Sequence, residues 1–207
     1  MSSFSKPESE NIYLSDPDVH LMLEFQKGNK SSFEKLMERN YKRVFNLIYR
    51  FVASHEIAED LTQEVFIKVY HAASSYRPQA KFQTWLYQIA KNISLNELRR
   101  HKNKDVSLDE TFETEDGELK REIADTRTLN PSEEMTQQET IEEIQAAIKS
   151  LPENQRMAVI LRRYENLSYE DIAKAMNCSV EAVKSLLNRA KESLKEKLSR
   201  FVKGDGA

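Results

Sequence analysis

Apolar positions recur along much of this chain at steps of three and four, the spacing that lines one face of an α-helix. The first run uses Val19, Met22 and Phe25, with Asp18 placed to cap its start and Gly28 to close it. Phe33, Leu36, Met37, Tyr41, Val44, Ile48 and Phe51 form a longer stripe, opened by the capping-box pattern Ser31-Ser32-Phe33-Glu34. Ser54 can cap a third helix that puts Ile57, Leu61, Val65, Val69 and Ala72 on one face. Pro78 biases its predecessor away from helix, so Tyr76-Arg77-Pro78 reads as a turn before a fourth helix from about Gln83 to Arg100.

The period lapses between residues 105 and 138, where acids gather around Gly117 and Asn130-Pro131. That stretch reads as a mostly extended linker, with transient helix near Glu118 to Ala124. From Thr140 the period returns through Ile141, Ile144, Ala147, Ile148 and Leu151. Pro152 suits the first position of the next helix, which turns Met157, Ile160 and Leu161 inward. A short helix from Ser168 to Met176, a turn at Asn177-Cys178-Ser179 and a helix from Val180 to about Phe201 complete the pattern. The expected fold is all-α, two small helical domains joined by an acidic extended linker. A flexible segment at 1–17 precedes a domain at 18–104; the linker at 105–138 leads to a second domain at 139–203, with a tail at 204–207.

Charge sharpens this division. The chain of 207 residues carries −3 overall, yet residues 105–143 hold fourteen acids against three bases, a local −11 that leaves +8 on the remainder. Two basic regions thus flank one acidic segment, a layout that fits nucleic-acid binding at both ends. Only four Gly and five Pro accompany abundant Glu, Lys, Leu, Ala and Arg, as a helical chain requires. The single cysteine, Cys178, excludes an internal disulfide and a Cys-based zinc site, and reads as a turn residue. No apolar run reaches the roughly 20 residues of a spanning helix. Met1 to Ser15 is polar and has no apolar signal core, so a soluble cytoplasmic protein is expected.

Ser168-Tyr169-Glu170-Asp171 repeats the capping-box pattern, and Ile172, Ala173 and Met176 give the short helix a buried stripe. A tight turn and a second amphipathic helix make this a candidate helix-turn-helix, whose second helix enters the DNA major groove. That helix buries Val180, Val183, Leu187 and Ala190 and exposes Glu181, Lys184, Ser185, Asn188, Arg189 and Lys191. Seven bases against three acids between Val180 and Lys203 also suit an ordinary solvated basic face. The short helix, the turn length and the small Ala173 favour the DNA-binding unit.

Residues 76–104 interleave aromatics with bases: Tyr76, Phe82, Trp85 and Tyr87 stand among seven bases and the single acid Glu97. Aromatic rings stack on unpaired bases, worth about 1–3 kcal/mol each, while cations follow the phosphates. The combination suits melted or single-stranded DNA. For Phe82 and Trp85 simple core packing is an equal reading, because Trp85, Ile89 and Ile93 share helical spacing. Tyr76, beside the proline turn, is expected to be exposed. On the third helix Asp60, Gln63, Glu64 and Phe66 lie off the apolar stripe. A charged face is ordinarily just solvated, but an exposed Phe among acids suggests a protein-binding surface.

These motifs, taken in order, resemble the extracytoplasmic-function class of bacterial sigma factors, nearest the sigma-E-like branch. Four motifs carry the resemblance: Asp60-Leu61-Thr62-Gln63-Glu64-Val65-Phe66, Thr84-Trp85-Leu86-Tyr87-Gln88-Ile89-Ala90-Lys91-Asn92, Leu151-Pro152-Glu153 and Leu167-Ser168-Tyr169-Glu170-Asp171-Ile172-Ala173. The resemblance covers nearly all of residues 18–202. It implies a sigma region 2 bundle and a sigma region 4 helix-turn-helix that together bind core RNA polymerase and direct promoter-specific initiation.

By that likeness Asp60, Gln63, Glu64 and Phe66 would dock on the β′ clamp coiled coil. Tyr76, Arg77, Lys81, Phe82, Trp85, Asn92, Asn96, Arg99 and Arg100 would capture the −10 strand, Tyr76 and Asn92 lining a base pocket. The second domain would sit on the β flap and read the −35 duplex through Glu181, Lys184, Ser185, Asn188, Arg189 and Lys191. The acidic linker would thread the polymerase's RNA path, its acids standing in for RNA charge. An anti-sigma factor, often membrane-anchored in the family, would be a further partner. The chain departs from the family at Glu181-Ala182-Val183, where Gly-Thr commonly precedes the Val, and at Leu186, where a second Arg is common. Both departures imply less positive charge at the groove.

Two other readings compete. A helix-turn-helix regulator that never touches polymerase would explain the C-terminal domain, but leaves the aromatic-basic stretch and the Asp60–Phe66 face without purpose. For an enzyme, His20, His55, His71 and His101 lack metal spacing, and no phosphate loop or nucleophile elbow is present. No catalytic residue, metal, cofactor or small-molecule substrate is expected.

Overall fold

The structure, a computed structural model, describes residues 12–107 and 131–199, with side chains from 12 to 100 and from 140 to 199. All the described elements are helical. After a short 3-10 turn at Ile12–Ser15 come α1 (Pro17–Gln26), α2 (Lys30–Val52), α3 (His55–Ala72) and α4 (Phe82–Ser107). The second group is α5 (Pro131–Lys149), α6 (Glu153–Arg163), α7 (Tyr169–Met176) and α8 (Val180–Lys197). No helix among the described residues is long and apolar enough to cross a membrane.

The first four helices bury the stripes that their spacing predicts. Leu36, Val44, Ile48 and Phe51 of α2 meet Leu61, Val65 and Val69 of α3 and Phe82, Leu86 and Ala90 of α4 in one core. Burying such side chains contributes about 1.5–3 kcal/mol each, the main force holding the bundle together. Helix starts depart from the expected pattern where tertiary partners compete for the capping side chain. Asp16, not Asp18, caps α1: one carboxylate oxygen accepts from the Asp18 amide at 3.0 Å. The other accepts from the Phe82 amide at 2.9 Å, so the same side chain also satisfies the start of α4. Asp18 is buried instead, where it accepts from Arg39 at 2.7 Å and Asn40 at 3.1 Å.

The Ser31–Glu34 capping box does not form either. Asn29 occupies the cap position of α2, and Ser32 is buried and donates to Glu24 at 2.5 Å. Gly28 closes α1 with φ +99, a conformation that L side chains rarely adopt. The expected linker is shorter at both ends. Residues 105–107 belong to α4 and residues 131–138 to α5, while 108–130 lie outside the described residues. Pro131 followed by Glu133 and Glu134 is an order that suits a helix N-terminus. Pro152 sits one residue outside α6, as its cap.

Candidate nucleic-acid interface

The helix-turn-helix forms through local hydrogen bonds that its sequence dictates. Ser168 accepts from the Asp171 amide at 3.0 Å and so caps α7. Asn177 then takes the left-handed conformation at φ 53, which Asn tolerates better than most residues, and its amide bonds back to α7. Ser179 accepts from the Ala182 amide at 3.1 Å and opens α8. Ile172, Ala173, Ala175 and Met176 pack beneath Val183 in the shared core.

This turn leaves Glu181, Lys184, Ser185, Asn188, Arg189 and Lys191 together on the exposed face of α8. Leu186 instead packs half-buried against the core, so this position lies off the exposed polar row. Glu181 does face outward. Its own amide and the Ser179 hydroxyl hold its carboxyl below the usual range, so it remains an anion at the helix N-terminus. Such a carboxylate repels phosphate and can accept from a cytosine amino group.

The aromatic-basic stretch divides between core and surface. Contrary to the expected exposure, Tyr76 is buried at 3%, packed edge-on against Trp85 at 4.8 Å and near Phe82 at 6.1 Å. Gln26 draws the turn inward by donating to the carbonyls of Ala73 and Tyr76. The Tyr76 hydroxyl has no hydrogen-bond partner among the described residues. Burial first, and the nearby Asp16 charge second, push its pKa up to about 12. Phe82 is fully buried, so the packing reading holds for it, while Trp85 is half-buried at the edge of the cluster. Arg77, Lys81, Asn92, Asn96, Arg99 and Arg100 are exposed, with Arg100 paired to Glu97 at 3.1 Å.

On α3 the structure likewise redistributes the predicted face. Asp60, Gln63 and Glu64 are exposed, Glu64 pairing with Lys68 at 3.1 Å. Phe66 is only 4% exposed and lies parallel to the Tyr41 ring at 6.1 Å, so it belongs to the core rather than the surface. Ile67, at 56% exposure, supplies the apolar centre of this face. Its signal was an apolar side chain four residues beyond Gln63 and off the Leu61–Val65–Val69 stripe.

The two groups of helices also touch. Lys81 donates to Asp171 at 3.2 Å, and Thr84 lies 3.4 Å from the same carboxylate. Tyr87 donates to Glu165 while accepting from Gln83 at 2.8 Å, and burial followed by that acid raises its pKa well above the ordinary range. Lys91, nearly buried, donates to the terminal α7 carbonyl of Met176 at 3.3 Å, and burial lowers its pKa. At the opposite end Arg156 donates to the Phe51 carbonyl at 2.9 Å, to Leu151 at 3.3 Å and to Lys149. The pairs that join the two groups lie 78 to 105 residues apart in sequence, and no local pattern marks them.

Comparison with known proteins follows the same division. The family description "Sigma-70 region 2" matches residues 36–104, and "Sigma-70, region 4" matches residues 141–194. The ECF RNA polymerase sigma-E factor of Escherichia coli K12 is 38% identical over 190 residues, 90% of this chain and 96% of that protein. The chain belongs to the extracytoplasmic-function sigma factors. A second relative of this sigma factor, the RNA polymerase sigma-H factor of Pseudomonas aeruginosa, is 34% identical over 91% of this chain and 97% of its own. The fold matches the sigma factor RpoE of Bartonella quintana, solved in complex with the anti-sigma factor NepR. That match has a TM-score of 0.64 at 22% identity and covers 81% of this chain and 96% of the other. In sigma terms most of α2, all of α3 and most of α4 fall in region 2, and the second half of α5 with α6, α7 and most of α8 falls in region 4, the helix-turn-helix being α7 and α8.

Proposed function

We propose that this sigma factor docks on core RNA polymerase through the exposed α3 face of Asp60, Gln63, Glu64 and Ile67. Its α4 face then captures the unpaired −10 strand, with Arg77, Lys81, Arg99 and Arg100 along the phosphates and Trp85, Asn92 and Asn96 toward the bases. The α8 face reads the −35 duplex through Lys184, Ser185, Asn188, Arg189 and Lys191, with Glu181 set to accept from a base edge. The observation that carries this reading is the solvent-facing polar row of α8 on a closed helix-turn-helix, in a chain matched by both sigma regions. Residues 18–104 and 139–203 are the two working units on this assignment.

No catalytic residue is needed for melting. Extruding a base costs a few kcal/mol, and stacking at about 1–3 kcal/mol per base can offset that only while the strand stays open. The factor therefore captures an opened state rather than driving the opening. Its work belongs in the cytoplasm, where polymerase meets DNA. An anti-sigma partner that masks the polymerase-binding surfaces fits the same surfaces, since the similarly folded RpoE is held by NepR.

Run-off transcription on a pool of promoter fragments, with core polymerase with and without the protein, tests the reading. Transcripts should appear only with the protein and be lost with Asp60→Ala/Gln63→Ala or Ile67→Glu, whose side chains are exposed and leave the fold intact. Tight duplex binding by the protein alone, without any transcript, would instead point to a regulator that does not use polymerase.

A further inference from the structure

The roll of α8 is fixed by its core side. Val183 and Ala190 are fully buried, and Leu186 and Leu187 pack half-buried beside them. Ser179 accepts from the Ala182 amide at 3.1 Å, which sets Glu181 in the first turn. Opposite that core, steps of four and three place Glu181, Ser185 and Asn188 on one line along the helix, and all three are exposed. Glu192 continues the line, so its first three turns or so carry no cation. The cations flank it instead. Lys184, Lys191 and Lys195 lie on one side and Arg189 on the other, each of them exposed.

A helix about 10–12 Å across fills a major groove about 12 Å wide, so its outermost line faces the base edges and its flanks face the phosphate walls. On α8 the flanks therefore carry charge to phosphates, and the middle carries the side chains that tell bases apart. A carboxylate offers acceptors only. It pairs with the cytosine amino group, and guanine O6 and N7, thymine O4 and phosphate all repel it. The Asn188 amide has a donor and an acceptor, the pair that matches adenine N7 and N6. Glu181 and Asn188 are separated along the helix by about 10 Å, or about three base steps at roughly 3.4 Å each.

We infer that Glu181 and Asn188 set the base specificity of the −35 contact, Glu181 selecting a cytosine and Asn188 an adenine within about three base steps, while Lys184 and Lys191 hold phosphates. The inference rests on the placement of α8 in the −35 groove and divides its polar row by role. Ser185, between the two readers, bonds to either kind of edge and so adds contact without choosing a base. Glu181 weakens binding to every duplex, because an anion at the head of the groove-facing helix opposes the phosphates. That loss is offset only where a cytosine amino group lies opposite the carboxylate. Such a residue sharpens discrimination more than it adds affinity.

The test uses the full chain with core polymerase and a random-sequence duplex pool, with core alone as background. Bound duplexes are recovered and sequenced, and binding is measured at several salt concentrations. Glu181→Ala, Glu181→Gln, Asn188→Ala and Lys184→Ala are compared with the parent, each checked for helicity and for binding to core polymerase. The parent should enrich a motif in which a cytosine and an adenine lie no more than about three steps apart. Glu181→Ala should abolish the cytosine preference, a discrimination of roughly five- to a hundredfold, and should tighten binding to unselected duplex. Glu181→Gln should shift that one position toward adenine, since an amide matches adenine, and it stands in should Glu181→Ala fold poorly. Asn188→Ala should flatten the adenine position alone. Lys184→Ala should weaken binding to all sequences alike and lower the salt slope by about one, with the motif unchanged. A cytosine preference that survives Glu181→Ala overturns the inference, as does a parent motif lacking either base or a motif position altered by Lys184→Ala. A motif that no α8 variant alters, with a salt slope that Lys184→Ala leaves as it was, overturns the −35 role of α8 itself.

Discussion

Tyr76 carries a polar group into the core without a partner, and that is a local cost. Its hydroxyl is buried between Phe82 and Trp85 and finds no acceptor among the described residues. An unpaired buried hydroxyl costs on the order of 1–3 kcal/mol, so Tyr76→Phe should leave stability unchanged or raise it by up to about 1 kcal/mol near neutral pH. The titration gives the same residue a second signature. Its pKa is raised from 10 to about 12 in the folded chain, so the folded state holds the proton that the unfolded state releases. The stability it contributes is fully present below pH 10 and is lost as pH rises through 12. Two pH units correspond to roughly 2–3 kcal/mol, a loss that urea midpoints across this window should show in the parent and should show less steeply in Tyr76→Phe. A slope identical in both would remove Tyr76 as the titrating group. The aromatic identity of this cluster was legible in the sequence; its burial was not, because Gln26, fifty residues away, pulls the Tyr76 carbonyl inward.

Helix ends show which local signals survive folding. Ser54 and Ser168 cap α3 and α7 as their spacing predicts, because each donor lies within three residues and no distant group competes. Asp18 fails as a cap because Arg39 and Asn40 claim its side chain, and Ser31 fails because α2 begins earlier, with Asn29 in the cap position and the Ser31 hydroxyl donating to its side chain. Asp16 succeeds twice, on α1 and α4, and only the second of these bonds reaches across sequence. Losing one cap costs about 1 kcal/mol, so Asp16→Ala should cost about 2 kcal/mol in urea denaturation. Asp16→Asn keeps one carbonyl acceptor and should cost about half as much. A loss of 1 kcal/mol or less for Asp16→Ala would mean that the α4 cap contributes nothing. The same contrast explains the docking face. The polar positions Asp60, Gln63 and Glu64 were readable from helical phase, whereas Phe66 and Ile67 exchanged roles because Tyr41 of α2 covers one and not the other.

At the scale of the molecule, two poles join region 2 to region 4, and neither was visible in a single sequence. One is the α4–α7 contact with Tyr87 on Glu165; the other is Arg156, whose guanidinium also lies 5.4 Å over the Phe51 ring. The order of helices, their stripes and the helix-turn-helix follow from near neighbours, so spacing reveals them. The closure follows from partners 78 to 105 residues apart, beyond any periodic signal. If the poles open together, their energies are coupled. Tyr87→Phe should lose about 1 kcal/mol for the lost hydrogen bond, and Arg156→Met about 2 kcal/mol for bonds to carbonyls on both sides. Once one pole has let region 4 swing away, the other no longer has its interdomain bond to lose. The double variant should therefore lose about 2 kcal/mol rather than 3, the remainder reflecting the Arg156 bonds to Lys149 and Leu151 within region 4. Urea denaturation of the four proteins in one double-mutant cycle gives the answer directly. Losses that simply add would mean that the poles open independently, and that region 4 pivots on one contact instead of closing as a unit.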